Sequence, residues 1–206
     1  MLLFGYEFTE QTPFKTIYLH GLVKDKIGRK MSKSLGNGVN PLDMIETYGT
    51  DALRMTLSIG NTPGNDLKFD EENVKNNQIF INKLWNACRF VDANITHSDF
   101  HIDATGKLLT EKYDELMLHE KWILSKMVEL TELVTQSMEN FSFSEAGQEL
   151  YTFTKNSFCD YYIEEFKLTS DISKYGEQVI RFAIVTLLKL WHPYIPFVTE
   201  ELYGRL

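Results

Sequence analysis

From about residue 70 to the C-terminus the sequence keeps a helical hydrophobic period almost without interruption, and this limits the fold more than any other feature. Apolar side chains recur at three- and four-residue spacing over 70–95, 112–140, 144–168 and 173–191, with Ser144 and nearby Gln148 marking the third start. His192-Pro193-Tyr194-Ile195-Pro196 breaks the fourth segment, and a short helix is expected from Thr199. Long helices joined by short connections pack as antiparallel neighbours. Before residue 70 the punctuation differs. Asn40 is placed to cap a helix with Pro41 at its first position and Gly49 at its end, and Thr50 to cap Asp51–Ile59, closed by Gly60. Asn61-Thr62-Pro63-Gly64-Asn65-Asp66 has the residues of tight turns. Ile17-Tyr18-Leu19-His20-Gly21-Leu22-Val23 is β-rich, followed by turn residues Lys24 to Gly28. A single strand is not stable, so its sheet is expected from residues upstream, and Met1 is not expected to be a biological start. The predicted fold is mainly α: an antiparallel helical bundle over 70–206 attached to a small N-terminal α/β remnant over 1–69.

A chain of 206 residues can bury one good core, or one core with a small appendage. Apolar runs such as Ala183–Leu188 are too short to cross a bilayer, and no basic-then-apolar leader opens the chain, so a cytoplasmic protein without membrane association is expected. Cys88 and Cys159 are far apart, with neither a CxxC nor a histidine partner, and read as buried thiols of a reducing compartment; no metal site is expected. The net charge of −8 argues against a strongly basic, non-specific nucleic-acid binder. Residues 1–70 hold eight basic and eight acidic side chains, so the deficit lies in 71–206. Within that acidic region Asn73–Val91 contains Lys75, Lys83 and Arg89 and no acid, which suits local phosphate contact.

Lys30-Met31-Ser32-Lys33-Ser34 stands between Gly28-Arg29 and Leu35-Gly36-Asn37. Lysine supplies a compact charge with three donors, and serine adds neutral donors that adapt to phosphate oxygens. A mobile loop of this composition, closing on a departing pyrophosphate, stabilises the transition state more than bound ATP. No GxxxxGK[ST] occurs, so a P-loop is excluded. The pentapeptide resembles the second signature of the class I aminoacyl-tRNA synthetases. Its flanks do too: Leu19-His20-Gly21-Leu22-Val23 before it and Tyr48-Gly49-Thr50-Asp51-Ala52-Leu53-Arg54 after it. Gly60-Asn61-Thr62-Pro63-Gly64-Asn65-Asp66-Leu67-Lys68-Phe69 and Pro13-Phe14-Lys15 are similar to the valine branch, and Trp191–Leu202 resembles the end of the bundle in this subgroup. Tyr203 stands where tryptophan is expected.

The resemblance implies a helical anticodon-binding domain and a ligase acting on valine, ATP (with Mg2+) and tRNA(Val). It places Lys30 and Lys33 in catalysis, with Lys33, Ser32 and Ser34 on ATP. The family's other signature, His-Ile-Gly-His, does not occur here, and neither the nucleotide-binding core nor the editing insertion is recognisable. The 206 residues alone are therefore expected to bind no cofactor and to activate no amino acid. The isoleucine and leucine branches share the loop, and a free-standing helical tRNA-binding module is a rival of a different class.

On a helix through 81–91, Ile81, Leu84, Trp85, Cys88 and Val91 form a core stripe. Lys75, Asn82, Asn86 and Phe90 cluster on another side, flanked by Lys83 and Arg89. A ring that stacks, an amide that reads a base edge and cations that hold phosphates suit an unstacked base. The segment Asn82–Phe90 also resembles the anticodon-facing helix of the valine branch. The plain alternative is that Phe90 packs under a neighbouring helix. His97, His101 and His119 read as surface, and His192 as part of a helix break. His20, at the end of the strand leading to the loop, could approach the nucleotide, though a structural role is the stronger reading.

Overall fold

The computed structural model describes residues 1–95 and 107–206; the surface assignments of His97 and His101 lie outside the described residues. The helices are α1 (Leu2–Thr9), α2 (Pro41–Tyr48), α3 (Thr50–Ile59), α4 (Glu71–Asn94), α5 (Lys107–Glu111), α6 (Leu118–Glu139), α7 (Phe143–Thr152), α8 (Ile163–Thr169), α9 (Gly176–Trp191) and α10 (Pro196–Tyr203). A π-helical stretch, Phe153–Tyr162, joins α7 to α8. The strands are β1 (Val23–Lys24) and β2 (Leu67–Lys68). The fold is the expected one: mainly α, a helical bundle with a small α/β piece at its N-terminal side.

The helical punctuation explains most boundaries. Asn40 caps α2 through its side chain, which accepts from the Leu42 amide, and Pro41 takes the first position. Thr50 does not cap α3 but is its first residue. Gly49, at φ 87°, ends α2 and begins α3 without a spacer, a backbone state that glycine adopts at little cost. Ser144 is likewise inside α7, where its hydroxyl donates to the Ile59 carbonyl and ties α7 to the end of α3. The C-terminal helix begins at Pro196 rather than Thr199.

The third helical segment is realised as α7, the π stretch and α8 in unbroken succession. Bonding from i to i+5 brings residues five apart towards one side. Here it turns Phe153, Phe158 and Ile163 together into the core, as it does Thr154 and Cys159. Thr154 uses its buried hydroxyl to accept the Trp191 indole N–H at 2.9 Å. The surrounding core includes Leu84, Ile123, Leu150, Tyr162, Ile180 and Leu187. Each of the leucines and isoleucines among them contributes about 1.5–3 kcal/mol through burial. Cys88 and Cys159 belong to this one core, and burial pushes their thiols up to about 12 and about 11. His119 is half-buried rather than on the surface, its Nε2 at 3.2 Å from the Thr169 hydroxyl, linking α6 to α8.

A smaller core gathers Ala52, Leu53, Phe69 and Val74, with Met31, Met44, Ile45 and Tyr48 packed on it. Val74 opens α4, so packing is continuous across residue 70. Helix α3 serves both cores, because Met55 on another side belongs to the large one. Its remaining polar groups clamp the chain's C-terminal turn. The Asp51 carboxylate, 7% exposed, accepts the Phe197 and Val198 amides at 3.4 and 2.7 Å, in place of a side-chain cap on α10. One turn along, the Arg54 guanidinium donates to the Pro193 and Tyr194 carbonyls at 3.2 and 3.3 Å.

The β-rich run 17–23 becomes a strand only at Val23–Lys24, and within this chain its partner lies downstream. β1 pairs in parallel with β2, the Leu67 and Phe69 amides donating to the Leu22 and Lys24 carbonyls at 2.9 Å. Ile17, Leu19 and Leu22 remain exposed, having no further strand to pair with among the described residues. Gly21 is where the two segments meet: a Cβ there would lie 1.7 Å from the Asn65 carbonyl oxygen. Helix α1, which lies outside the segments expected to be helical, carries exposed Leu3, Phe4 and Phe8, with Phe4 and Phe8 stacked at 6.3 Å.

Two substitutions test these constraints by urea denaturation. Asp51→Ala removes the side chain that accepts the first α10 amides and should cost about 1–2 kcal/mol, the magnitude of a lost helix cap; an unchanged midpoint would show that the clamp adds nothing. Gly21→Ala cannot be accommodated without parting residue 21 from Asn65. It should destabilise the β1–β2 pair and speed amide exchange at Leu67 and Phe69, and normal protection at both would disprove the close approach.

Candidate functional site

The lysine–serine loop rises from a stem built on β1. Asp25, 9% exposed, organises it. Its two carboxylate oxygens accept the Arg29 amide at 2.7 Å, the Arg29 Nε at 2.8 Å and the Asn37 side-chain amide at 2.9 Å. The Asn37 hydrogen bond, followed by those from Arg29, holds the carboxyl down to about 2 from an ordinary 3.8. A depressed carboxylate stabilises the fold above its unfolded pKa, so this contribution is complete above about pH 4 and fades as pH falls towards 2. Asn37 passes the order on: its Oδ1 accepts the Ser32 amide at 2.9 Å, and its Nδ2 also reaches the Lys30 carbonyl at 3.3 Å. Lys30 makes an antiparallel bridge with Lys24.

The stem is braced from behind by the Gly60–Phe69 run. Asp66 accepts the Leu22 amide at 2.8 Å and pairs with Lys24 at 2.5 Å, contacts that lower its carboxyl pKa, the Lys24 one most. Asp70, which caps α4, pairs with Lys26 at 2.9 Å. The residues that suggested a valine-type sequence are thus the ones that support the loop's stem.

The tip is open. Lys30, Lys33 and Ser34 are exposed and Ser32 is half-buried. Ser32 and Ser34 hydroxyls lie 3.2 Å apart, and the Leu35 amide donates to Ser32 Oγ at 3.3 Å. Lys30 and Lys33 are exposed, and among the described residues no carboxylate pairs with either. His20 is exposed at the stem's base, Nδ1 at 2.8 Å from the Gly21 carbonyl. With Tyr18, Asn61, Pro193 and Tyr194 it lines a cleft of about 380 Å³.

On α4 the sequence-derived candidates separate into two groups. Lys75, Asn82, Asn86 and Arg89 are exposed along one stripe at helical spacing. No hydrogen bond or ion pair engages their side chains among the described residues. Ile79, which the sequence reading passed over, is 57% exposed in the middle of that stripe. Lys83 and Phe90 lie on the flank and are engaged within the fold. Lys83 pairs with Asp160 of the π stretch at 2.5 Å. The Phe90 ring meets Phe166 edge-on at 6.2 Å, with the Lys167 ammonium 5.2 Å over its face. The core stripe also shifts: Phe80 and Ala87 are buried, whereas Ile81 and Trp85 are half-buried, Trp85 lying beneath Arg205 at 5.1 Å.

The described residues contain no group of three or more His, Cys, Asp or Glu able to hold a metal. The carboxylates that hold the loop's stem, Asp25 and Asp66, are already engaged by Arg29 and Lys24. These residues do not fit a magnesium site, and none is assigned to them. No helix among the described residues is long and apolar enough to cross a membrane. Sequence reasoning missed Asp25, Asn37, Asp51 and Arg54. The Asp25–Arg29 spacing of four was the available signal; Asn37 stood in a recognised flank but carried no spacing of its own.

A family model described as tRNA synthetases class I (I, L, M and V) matches residues 1–70, and one described as the anticodon-binding domain of tRNA ligase matches 120–206. Valine–tRNA ligase of Bacillus thuringiensis subsp. konkukian is 44% identical over 212 residues, covering 100% of this chain and 23% of the relative. That of Bacillus subtilis is 41% identical over 212 residues with the same coverage. The chain therefore spans about a quarter of the length of the curated relatives it matches. Among solved structures, the LeuRS–tRNA–LeuAMS ternary complex from Agrobacterium radiobacter K84 superposes with a TM-score of 0.76 at 20% identity. That match covers 99% of this chain and 24% of the other. Methionyl-tRNA synthetase of Mycobacterium tuberculosis, in complex with methionyl-adenylate, gives 0.62 at 17% identity, covering 89% and 36%. These two likenesses concern the fold. Family models on both the loop segment and the bundle, with relatives matching along the whole chain, show that this chain belongs to the class I tRNA synthetases.

Proposed function

We propose that these residues are part of a cytoplasmic valine–tRNA ligase, which activates valine with ATP and transfers it to tRNA(Val). Residues 1–69 supply the end of the catalytic region and its ATP loop, and residues 70–206 the tRNA-binding bundle. The observation that carries the reading is a solvent-facing tip of two lysines and two serines on a tied stem, in a chain 41–44% identical over its full length to valine–tRNA ligases. Two buried, unpaired cysteines are consistent with a reducing compartment.

In activation the valine carboxylate attacks the α-phosphorus, and the bond to the bridging oxygen breaks as pyrophosphate leaves with the negative charge. Lys33, with Lys30 nearby, meets that growing charge, while Ser32 and Ser34 donate to phosphate oxygens. Contacts that strengthen as charge accumulates raise kcat rather than ground-state affinity. The rest of the nucleotide site, and any Mg2+ that accompanies ATP, belong to parts of the ligase that these residues do not provide.

For tRNA, the α4 stripe offers Lys75 and Arg89 to phosphates and Asn82 and Asn86 to base edges, with Ile79 as an apolar platform between them. Lys83 and Phe90 can join only by leaving Asp160 and the Phe166–Lys167 pair. They therefore form the flank of the proposed surface.

Two experiments on the complete ligase test this reading. Lys33→Ala should lower kcat for valine-dependent pyrophosphate exchange by about 10²-fold or more with little change in valine affinity, as expected for a lost transition-state contact. The 206 residues alone should give no exchange. A normal kcat in the variant, or robust exchange by the 206 residues, would refute the assignment.

For the bundle, Lys75→Ala or Arg89→Ala should weaken tRNA binding and each reduce the salt slope by about one unit. Asn86→Ala should instead cost ~1–3 kcal/mol at unchanged slope, and less on tRNA with a foreign anticodon. Isotherms at several salt concentrations separate the two behaviours. Phe90→Ala is the sharpest case: a lower melting temperature with unaltered tRNA affinity would assign the ring to packing alone.

A further inference from the structure

The lysine–serine loop is not uniformly free. Asn37 uses both ends of its side-chain amide on the loop's ascending limb: Oδ1 accepts the Ser32 N–H at 2.9 Å, and Nδ2 donates to the Lys30 carbonyl at 3.3 Å. An adjacent strand's peptide group would satisfy Met31's two neighbours in the same way. The amide's orientation is fixed, because Nδ2 also donates to Asp25 at 2.9 Å and flipping it would set oxygen against two acceptors. Asp25 is ordered in turn by the Arg29 amide and Nε. Below this latch the Met31 side chain packs on the small core. Beyond it the ties stop. Lys33 to Gly36 are exposed, and their hydrogen bonds among the described residues are confined to Ser32 and the tip itself. Gly36 has φ 62°, with nothing within 4 Å of where a Cβ would stand.

We infer that Asn37, held by Asp25, is a positioning residue that divides the loop into a fixed stem ending at Ser32 and a tip, Lys33–Gly36, that alone moves onto the nucleotide. The two lysines are then unequal: Lys30 acts from a static backbone, and Lys33 is delivered. The inference rests on the ATP-loop reading above, and it makes the latch matter for kcat through Lys33 without any contact between Asn37 and substrate. Loss of the latch lets the limb fray from Lys30 onward, so the tip closes from many starting positions instead of one.

The test reads structure and chemistry separately. Asn37→Asp replaces the donor towards Asp25 and the Lys30 carbonyl by a second carboxylate; Asn37→Ala removes the amide without adding charge. In the 206-residue chain Asn37→Ala should speed exchange of the Ser32 amide about tenfold or more, the scale of one lost hydrogen bond. Asn37→Asp, which keeps an acceptor for that amide but loses the donor to Asp25 and Lys30, should speed it by less, while α4 core amides keep their protection in both. In the complete ligase both should lower kcat for pyrophosphate exchange roughly tenfold with the KM for valine unchanged. The exchanged pair Asp25→Asn/Asn37→Asp restores a donor opposite an acceptor between residues 25 and 37, but leaves the Lys30 carbonyl against a carboxylate oxygen and takes an acceptor from Arg29 Nε. It should therefore recover Ser32 protection and kcat together but only in part. Unaltered Ser32 exchange in both single variants would overturn the latch. Faster exchange with normal kcat, in an enzyme that Lys33→Ala inactivates, would overturn the positioning role. If Lys33→Ala itself leaves kcat intact, the ATP-loop reading fails and the positioning role fails with it, while Ser32 exchange still decides whether the latch exists.

Discussion

The Asp51 carboxylate holds together positions 146 residues apart in sequence, and the rest of the arrangement depends on it. The break at 193–198 leaves free carbonyls on one side and free amides on the other, the usual residue of ending one helix and starting another. Asp51 takes the amides and Arg54, one turn away on α3, takes the carbonyls. A single helical turn of α3 thus fixes how the last helix meets the first part of the chain. Because α3 also contributes to both cores, loop segment and bundle share one rigid element rather than a linker.

On the other side of α3 the same economy recurs with strands. Two residues of β1 and two of β2 are a minimal sheet, too small to persist alone. It persists because Gly21 permits backbone contact with Asn65, Asp66 pairs with Lys24, and Phe69 enters the small core. The loop's stem is an extension of this pair, so its order derives from residues forty positions away.

Much of this was legible in the residues. The 3.6 period gave the bundle, Asn40-Pro41 and Gly49 gave α2, and Lys30–Ser34 with its flanks gave the family. What stayed hidden shares a physical character. The π stretch follows a five-residue spacing that a 3.6-residue reading takes for noise. The partner of β1 is a two-residue strand directly after what reads as a turn. Thr50 and Ser144 look like caps because hydroxyls at helix starts usually are, but a positive-φ glycine and a carbonyl from another helix compete for those places. On α4 periodicity separates inside from outside but cannot see Asp160, Phe166 or Lys167 arriving from the facing helix. Lys83 and Phe90 therefore looked as free as Asn82 and Asn86.

The two cysteines carry a practical consequence. Their thiols, raised to about 12 and about 11 by burial, hold almost no thiolate at neutral pH. Thiolate is the reactive form, so alkylating reagents meet a chemically silent background. A cysteine introduced on the exposed stripe, at position 82 or 86 for example, would be the only one to label. The native sequence is thus already suited to fluorescent or spin probes that report what approaches that face, with no need to remove either natural thiol from the core it fills.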